Sequence, residues 1–274
     1  MQNQTIPSLF IYTALECEAK PLLKQLDLKK ECNSHPFSIY KNQNTILTVS
    51  GVGKIAMAGA VAYTQALFRT IQLPVLVNVG IAGHKYQAIG DIFLATKIVD
   101  KDSSKRFYPQ LVGGDWPKTA EIQSSSTPCT EYSTDFMNDM EASAFYETAI
   151  RFSSNELIHS IKVISDNEQS SIETIRPKLV TQWINNHLTQ IEYLLNHWIS
   201  LRQSVTSNEL KEFDTIVNQW HFTVSRQIKL KSLLLRWQTL SAAPWLDVNQ
   251  TNSCSSKDIL QKLESDVNDL EVHL

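Results

Sequence analysis

Short apolar runs alternate with longer amphipathic segments in the first two thirds of the chain. The apolar runs predict β-strands at residues 8–13, 37–40, 45–49, 74–79, 91–99 and 161–165. The amphipathic segments predict helices at residues 16–26, 54–70 and 139–152. Strands that alternate with helices favour a largely parallel or mixed sheet with helices on both faces. We therefore predict an α/β fold, a three-layer sandwich around a central twisted sheet, over residues 1–203.

The pattern becomes purely helical after residue 177. Apolar residues recur at alternating spacings of four and three in two segments, at Ile184, Leu188, Ile191, Leu195 and Trp198 and again at Leu210, Phe213, Val217, Trp220 and Val224. This spacing predicts two long amphipathic helices that pair as a hairpin through residues 205–208. Residues 241–256 look like a linker, and a stripe from Ile259 to Leu270 predicts an acidic final helix. Residues 204–274 are thus expected to form a C-terminal helical extension.

Charge and composition exclude several classes of protein. The 274 residues include 25 basic and 28 acidic side chains, so no overall positive field favours nucleic-acid binding. The longest apolar run, residues 73–83, is much shorter than the roughly 20 residues that cross a bilayer. Residues 1–8 lack the features of a secretory signal, and the four cysteines are scattered. We therefore expect a cytoplasmic protein with no membrane contact, disulfide framework or metal site.

The glycines indicate where a ligand would bind. All eight lie before residue 115. Glycine permits the positive φ angles and close backbone approaches that occur where strands lead into helices and ligands. The first half of the chain is therefore the expected ligand-binding half.

Four short segments carry the candidate chemistry. They are Ala-Leu-Glu-Cys-Glu at 14–18, Ser-Gly-Val-Gly-Lys at 50–54, Asn-Val-Gly-Ile-Ala-Gly at 78–83 with Gly90-Asp91 behind it, and Asp-Met-Glu-Ala at 139–142 followed by Ile-Ser-Asp at 164–166. Their order and spacing resemble the nucleoside phosphorylase/nucleosidase superfamily. The first segment is most similar to the methylthioadenosine/S-adenosylhomocysteine nucleosidase branch. The resemblance covers roughly residues 9–199.

The resemblance implies an enzyme of purine salvage. It would hydrolyse the N-ribosidic bond of a 5′-modified or 5′-deoxy adenosine to adenine and free sugar, as a homodimer and without a cofactor. Cleavage of this bond sends electrons into the base, so an acid must protonate the leaving base. The resemblance implies that Asp166 is this acid, that Glu18 polarises the attacking water, and that Glu141 binds the ribose hydroxyls. The other substrate-binding positions that it implies are Met140, Ser165, Lys162, Ala82 and Gly83.

Each carboxylate also has a simpler interpretation. Asp166 could cap the next helix, and Glu141 could interact with the N-terminus of its own helix. A solvated surface position is the alternative for Glu18, and Glu16 is its nearby competitor.

The chain also departs from the superfamily pattern. Ile81 replaces the usual serine of a Gly-Ser-Ala-Gly turn, and Lys162 stands where an arginine is usual. Only about forty residues separate Val99 from Asp139. The strand that normally faces the purine is therefore predicted to shorten to about residues 120–132, with Tyr132 or Phe136 as candidates for stacking on the base.

Rival functions remain at this point. A phosphorylase needs arginines or a glycine-rich nest for phosphate, and no arginine lies in a matched motif, so hydrolysis is preferred. A P-loop is excluded because no glycine stands five residues before Gly53, and Lys54 is interpreted as a surface charge at a helix start. The second class is a nucleoside-binding or scaffold protein without catalysis. It would use the tryptophan-rich C-terminal helices to bind a protein partner.

Overall fold

In the computed structural model, a mixed ten-stranded β-sheet is the middle layer of the first of two units, residues 1–203. The structure describes residues 6–68, 72–129, 132, 135–206, 211–241, 243–245 and 255–271. The strands are β1 (Leu9–Thr13), β2 (Lys29–Lys30), β3 (Ser38–Lys41), β4 (Thr45–Val49), β5 (Val75–Gly83), β6 (Ile92–Asp100), β7 (Arg106–Phe107), β8 (Lys118–Ser124), β9 (Met137–Asp139) and β10 (Ile158–Asp166).

The strand order brings several strand ends to one edge of the sheet. The order is β10-β6-β8-β9-β5-β1-β4-β3-β2, with β7 on β6. A further pairing of β10 with β5 closes five of these strands into a circuit. Strands β4, β1, β5 and β10 run parallel to their neighbours in that series. Their carboxyl ends therefore meet, which is where open α/β sheets bind ligands.

Helices cover both faces of the sheet, so the predicted sandwich is confirmed. Helices α1 (Glu16–Gln25), α4 (Pro177–Asn186) and α5 (Leu188–Thr206) pack on one core, which includes Ala19, Ile184 and Trp198. Helices α2 (Lys54–Leu67) and α3 (Ala142–Ala149) pack on the other, which includes Met57 and Phe145. The apolar faces that the sequence pattern predicted are the faces that these layers bury.

Two boundaries differ from the prediction near the site. The helix predicted from Asp139 begins only at Ala142, because residues 137–139 pair with β8 and β5 as strand β9. The first helical N–H groups explain this start. Ala142 N donates to Asp139 Oδ2 at 2.8 Å, and Ser143 N donates to Ser124 Oγ at 3.0 Å. The strand predicted at 120–132 is β8, which ends at Ser124.

The second unit, residues 204–274, has a core of its own. Its described helices are α6 (Lys211–Gln219), α7 (Val224–Leu240) and α8 (Ser256–Glu271), which bury Ile216, Trp237, Trp245, Leu263 and Val267 among others. The final helix is confirmed. The long helices were predicted as unbroken, which is wrong: the first is interrupted at His187, and the second ends at Gln219 before α7 begins.

The structure describes only part of the predicted hairpin turn and of the predicted linker. Residues 207 and 208 of the hairpin turn, and most of the predicted linker, lie outside the described residues. Within the described ranges, every helix is too short or too polar to cross a bilayer.

Candidate functional site

A pocket opens at the shared carboxyl edge of the sheet. Its empty space, including the open mouth, is about 600 Å³. The predicted site residues that line it are Glu18, Ala82, Gly83, Met140, Glu141, Ser165 and Asp166. Lys162 is buried next to this wall, against Asp139. Three carboxylates that are distant in sequence therefore share one pocket.

Glu18 lies in the first turn of α1 and is 2 % exposed. Its Oε2 accepts hydrogen bonds from Ala14 N at 2.9 Å and Leu15 N at 2.8 Å. Its Oε1 accepts a hydrogen bond from Ile81 N on β5 at 2.9 Å. Burial raises the pKa of Glu18, whereas Lys162 and these N–H donors oppose that shift. The surface alternative for Glu18 is therefore wrong, and Glu16 is instead exposed and bonded to the Tyr40 hydroxyl.

Lys162 supplies the buried positive charge of the site. Its Nζ lies 2.8 Å from Asp139 Oδ2, and the side chains are 1 % and 0 % exposed. Burial lowers the pKa of Lys162, but the neighbouring carboxylates, Asp139 first, raise it above its ordinary value. Gly80 permits this arrangement, because a Cβ there would lie 2.9 Å from Glu18 Oε1 and 3.4 Å from Lys162 Nζ.

Glu141 directly precedes α3 but does not cap it. Its Oε1 accepts a hydrogen bond from Gly53 N at 2.7 Å, in the turn before α2. The first two N–H groups of α3 are bound by Asp139 and Ser124 instead, so the Glu141 side chain does not cap its own helix. Burial, followed by the charge of Asp139, raises the pKa of Glu141 to about 7.

Asp166 is the last residue of β10 and is 3 % exposed. Its Oδ1 accepts a hydrogen bond from Ser165 Oγ at 2.5 Å, and its Oδ2 accepts one from the Tyr132 hydroxyl. The next helical turn, Ile172–Thr174, is capped by Ser171, so the capping interpretation of Asp166 is wrong. Gly83 gives Asp166 its space, because a Cβ at Gly83 would collide with Asp166 Oδ2.

The two aromatic candidates lie in different places. The Tyr132 hydroxyl bonds to Asp166, and burial followed by this carboxylate raises the pKa of Tyr132. Phe136 lies under the Lys97 ammonium, which is 5.7 Å from the ring centroid, and does not line the pocket. Ile81 takes part through its main-chain N–H as well as its side chain.

Lys54 is not the surface charge that the sequence predicted. Its side chain is only 16 % exposed, and its Nζ lies 2.5 Å from Asp100 Oδ2 and 2.7 Å from Asp102 Oδ2. The predicted surface charge is therefore a largely buried ion pair. No local spacing in the sequence marks this ion pair, because both of its carboxylates come from a distant segment. Across the described part of the chain, no cluster of His, Cys, Asp or Glu has the geometry of a metal site.

No protein-family model matches the chain, and no curated protein sequence does so either. Solved structures do match. They include a futalosine hydrolase mutant of Helicobacter pylori, at 13% identity and a TM-score of 0.55 over 70% of this chain and 100% of that one. The chain shares the fold of this hydrolase.

Two further nucleosidase structures are similar. The 5′-methylthioadenosine/S-adenosylhomocysteine nucleosidase of Helicobacter pylori, with butyl-thio-DADMe-Immucillin-A, has 14% identity and a TM-score of 0.57 over 70% of this chain and 99% of that one. The nucleosidase of Colwellia psychrerythraea, in complex with adenine, has 19% identity and a TM-score of 0.51 over 66% and 95%. These nucleosidases are matched over nearly their whole length, whereas about a third of this chain is left over. Identities this low show the fold alone.

Proposed function

We propose that this protein is a nucleosidase that hydrolyses the N-ribosidic bond of a 5′-modified or 5′-deoxy adenosine. The observation that carries the proposal is the convergence of Glu18, Glu141 and Asp166 on one pocket. The reaction needs a group for each of three tasks, which are to polarise water, hold the sugar and protonate the base. The nucleosidase fold supports the same assignment.

Glu18 is the proposed group that polarises water. Three main-chain N–H groups donate to its two oxygens, and N–H donors stabilise the ionised form of a carboxylate. Lys162 adds a positive charge beside it. An ionised carboxylate can accept a proton from water as the water attacks the anomeric carbon.

Glu141 and Met140 are the proposed sugar contacts. A carboxylate can accept hydrogen bonds from two adjacent hydroxyls, and Gly53 N–H fixes one of the Glu141 oxygens. The Met140 thioether adds an apolar surface to the pocket wall. Other apolar residues of the wall, Val52, Pro128, Ile172 and Ile175, suit a 5′-deoxy or apolar 5′ substituent.

Asp166 is the proposed acid for the leaving base. The bond between the anomeric carbon and the base nitrogen breaks, and its electron pair enters the purine. A ring nitrogen of the base then takes a proton from Asp166, while water bonds to the anomeric carbon and loses its proton to Glu18. The products are adenine and the free sugar.

Hydrolysis is preferred to phosphorolysis on charge. Among the described residues that line the pocket there is no arginine or lysine, and Glu18, Asp139, Glu141 and Asp166 line it. The buried Lys162 is already paired with Asp139. A phosphate dianion would therefore meet carboxylates and lack the donors that usually bind it.

The test is release of adenine from 5′-deoxyadenosine or methylthioadenosine in phosphate-free buffer, with Asp166→Asn protein as the control for contaminating activity. Release that is independent of added phosphate would support the nucleosidase. A strict requirement for phosphate would support a phosphorylase instead.

The second candidate is a nucleoside-binding protein without catalysis. The Tyr132 hydroxyl favours it, because this group occupies one oxygen of the proposed acid. Tight adenosine binding without adenine release would support this candidate. If the binding were also lost on removal of residues 207–274, a scaffold role for the helical extension would follow. A homodimer stays a prediction.

A further inference from the structure

The starts of two helices meet beside Glu141. Helix α2 begins at Lys54, directly after Gly53, and helix α3 begins at Ala142, directly after Glu141. The hydrogen bond from Gly53 N to Glu141 Oε1, at 2.7 Å, therefore joins the two helix starts. Any change in their separation moves the donor relative to the carboxylate.

Asp100, the last residue of β6, binds the same two helix starts from the sheet. Its Oδ2 lies 2.5 Å from Lys54 Nζ and accepts a hydrogen bond from Ser143 Oγ at 2.7 Å. Its Oδ1 accepts hydrogen bonds from Ser103 N at 2.7 Å, Ser103 Oγ at 2.9 Å and Asp102 N at 3.1 Å. Asp100 is therefore fixed by its own loop and holds one residue from each helix.

We propose that Asp100 is a positioning residue for sugar recognition, because it sets the separation of the α2 and α3 starts and thereby directs the Glu141 carboxylate. Asp100 does not line the pocket, so it would act through Lys54 and Ser143. The sugar-binding part of this inference rests on the proposed function, whereas the effect on the Gly53–Glu141 hydrogen bond does not.

The neighbouring Asp102 provides a matched control. Its Oδ2 also lies 2.7 Å from Lys54 Nζ, but its side chain is 51 % exposed. Its other side-chain hydrogen bond comes from the Ser126 hydroxyl and not from Ser143. Asp102→Asn therefore removes a negative charge beside Lys54 and leaves the link between the two helices intact.

The first measurement is the amide proton resonance of Gly53 by NMR, which reports the hydrogen bond to Glu141 without any need for turnover. Glu141→Gln protein marks the position of this resonance when the charged acceptor is lost. We expect Asp100→Asn to move the resonance towards that position and Asp102→Asn to leave it near the wild-type position. Equal positions for Asp100→Asn and the wild type would overturn the proposal.

A second variant covers the case in which Asp100→Asn does not fold. Ser143→Ala removes only the neutral link to Asp100 and leaves the ion pair with Lys54 in place. The Gly53 resonance is expected to move in the same direction by a smaller amount. An unchanged resonance in folded Ser143→Ala protein would contradict the link through this residue.

The second measurement compares two substrates, 5′-deoxyadenosine and 3′,5′-dideoxyadenosine. If Asp100 acts through Glu141, Asp100→Asn raises KM for the first substrate roughly tenfold, as expected for one hydrogen bond to a charged group. The second substrate lacks a hydroxyl that Glu141 would bind, so its penalty is smaller. An equal rise in KM for both substrates would show that Asp100 has only a structural role. If the wild type released no adenine from either substrate, the proposed function would fail. The Gly53 amide resonance would still test whether Asp100 positions Glu141.

Discussion

The pocket has two sides that are built in different ways. The side proposed to bind the sugar, called the sugar side, consists of Glu18 and Glu141. Their carboxylates accept hydrogen bonds from main-chain N–H groups, and the buried Lys162 ammonium lies beside them, paired with Asp139. The base side consists of Asp166 with the hydroxyls of Ser165 and Tyr132.

The two sides differ in whether the hydrogen-bond partners of their carboxylates can be replaced. A main-chain N–H can only donate and is fixed by the fold, whereas a hydroxyl can turn and can either donate or accept. The N–H donors of the sugar side are therefore arranged in advance around carboxylates, which stabilise a positive sugar when they are ionised. On the base side, Asp166 is bound by hydroxyls, and a purine can replace a hydroxyl as its partner. Four changes would break or sharpen this comparison.

The largest expected effect comes from replacing each of the two proton-transferring carboxylates by an amide. Glu18→Gln and Asp166→Asn should each lower adenine release by ~10²–10⁴-fold, because each removes a group that transfers a proton. Only Glu18→Gln should also destabilise the fold, by about 1–3 kcal/mol, because its NH₂ group faces N–H donors that cannot turn. Product assays and thermal unfolding measure the two effects.

The exposed Glu16→Gln variant is the control and should change neither quantity. Equal thermal stability of Glu18→Gln and Asp166→Asn would remove the distinction between the two sides.

The second effect concerns the glycines that face the two acids. Gly80→Ala places a methyl group 2.9 Å from Glu18 Oε1, which is held by N–H donors, so the misfit should cost about 1–3 kcal/mol of stability. Gly83→Ala should instead displace Asp166, lowering adenine release by about 100-fold with less loss of stability. Unfolding curves and kcat/KM of both variants test this, and a larger stability loss in Gly83→Ala would reverse the comparison.

The sugar side was largely predictable from the sequence. Glu18 follows β1, and Ile81, whose N–H donates to Glu18, lies near the end of β5. The carboxyl ends of neighbouring parallel strands meet, so short motifs at those ends fix the location of the pocket. Glu141 was placed in the same pocket by its motif, although the helix after it begins later than the periodicity indicated.

The base side and the supports of the helices were less predictable. Tyr132 reaches Asp166 from a segment without regular periodicity, across 34 residues of sequence. Asp100 binds Lys54 and Ser143 through contacts between distant segments, and no local spacing reports such contacts. The interruption at His187 was missed for a related reason, because neither glycine nor proline marks it and the apolar spacing continues across it.

The third effect is a pH dependence of sugar binding. Glu141 must be ionised to accept two hydroxyl hydrogen bonds, and its pKa is raised to about 7. As the pH falls below that value, binding must displace a proton from Glu141, so affinity should fall towards a limit of about tenfold per pH unit. Calorimetry of adenosine binding to Asp166→Asn protein between about pH 8 and about pH 6 measures this. The added Glu141→Gln change should weaken binding and flatten the profile, and a flat profile with Glu141 intact would contradict the assignment.

The smallest effect tests whether the Tyr132 hydroxyl is exchangeable. Its hydrogen bond to Asp166 must be given up if the base binds to the same oxygen, so Tyr132→Phe should lower KM by roughly 2- to 10-fold, the value of one hydrogen bond. Tyr40→Phe is the matched control, because Tyr40 also donates to a carboxylate, Glu16, but outside the pocket. Steady-state kinetics on 5′-deoxyadenosine measure the change. A rise in KM would mean that the phenol holds the base, and both sides of the pocket would then be arranged in advance.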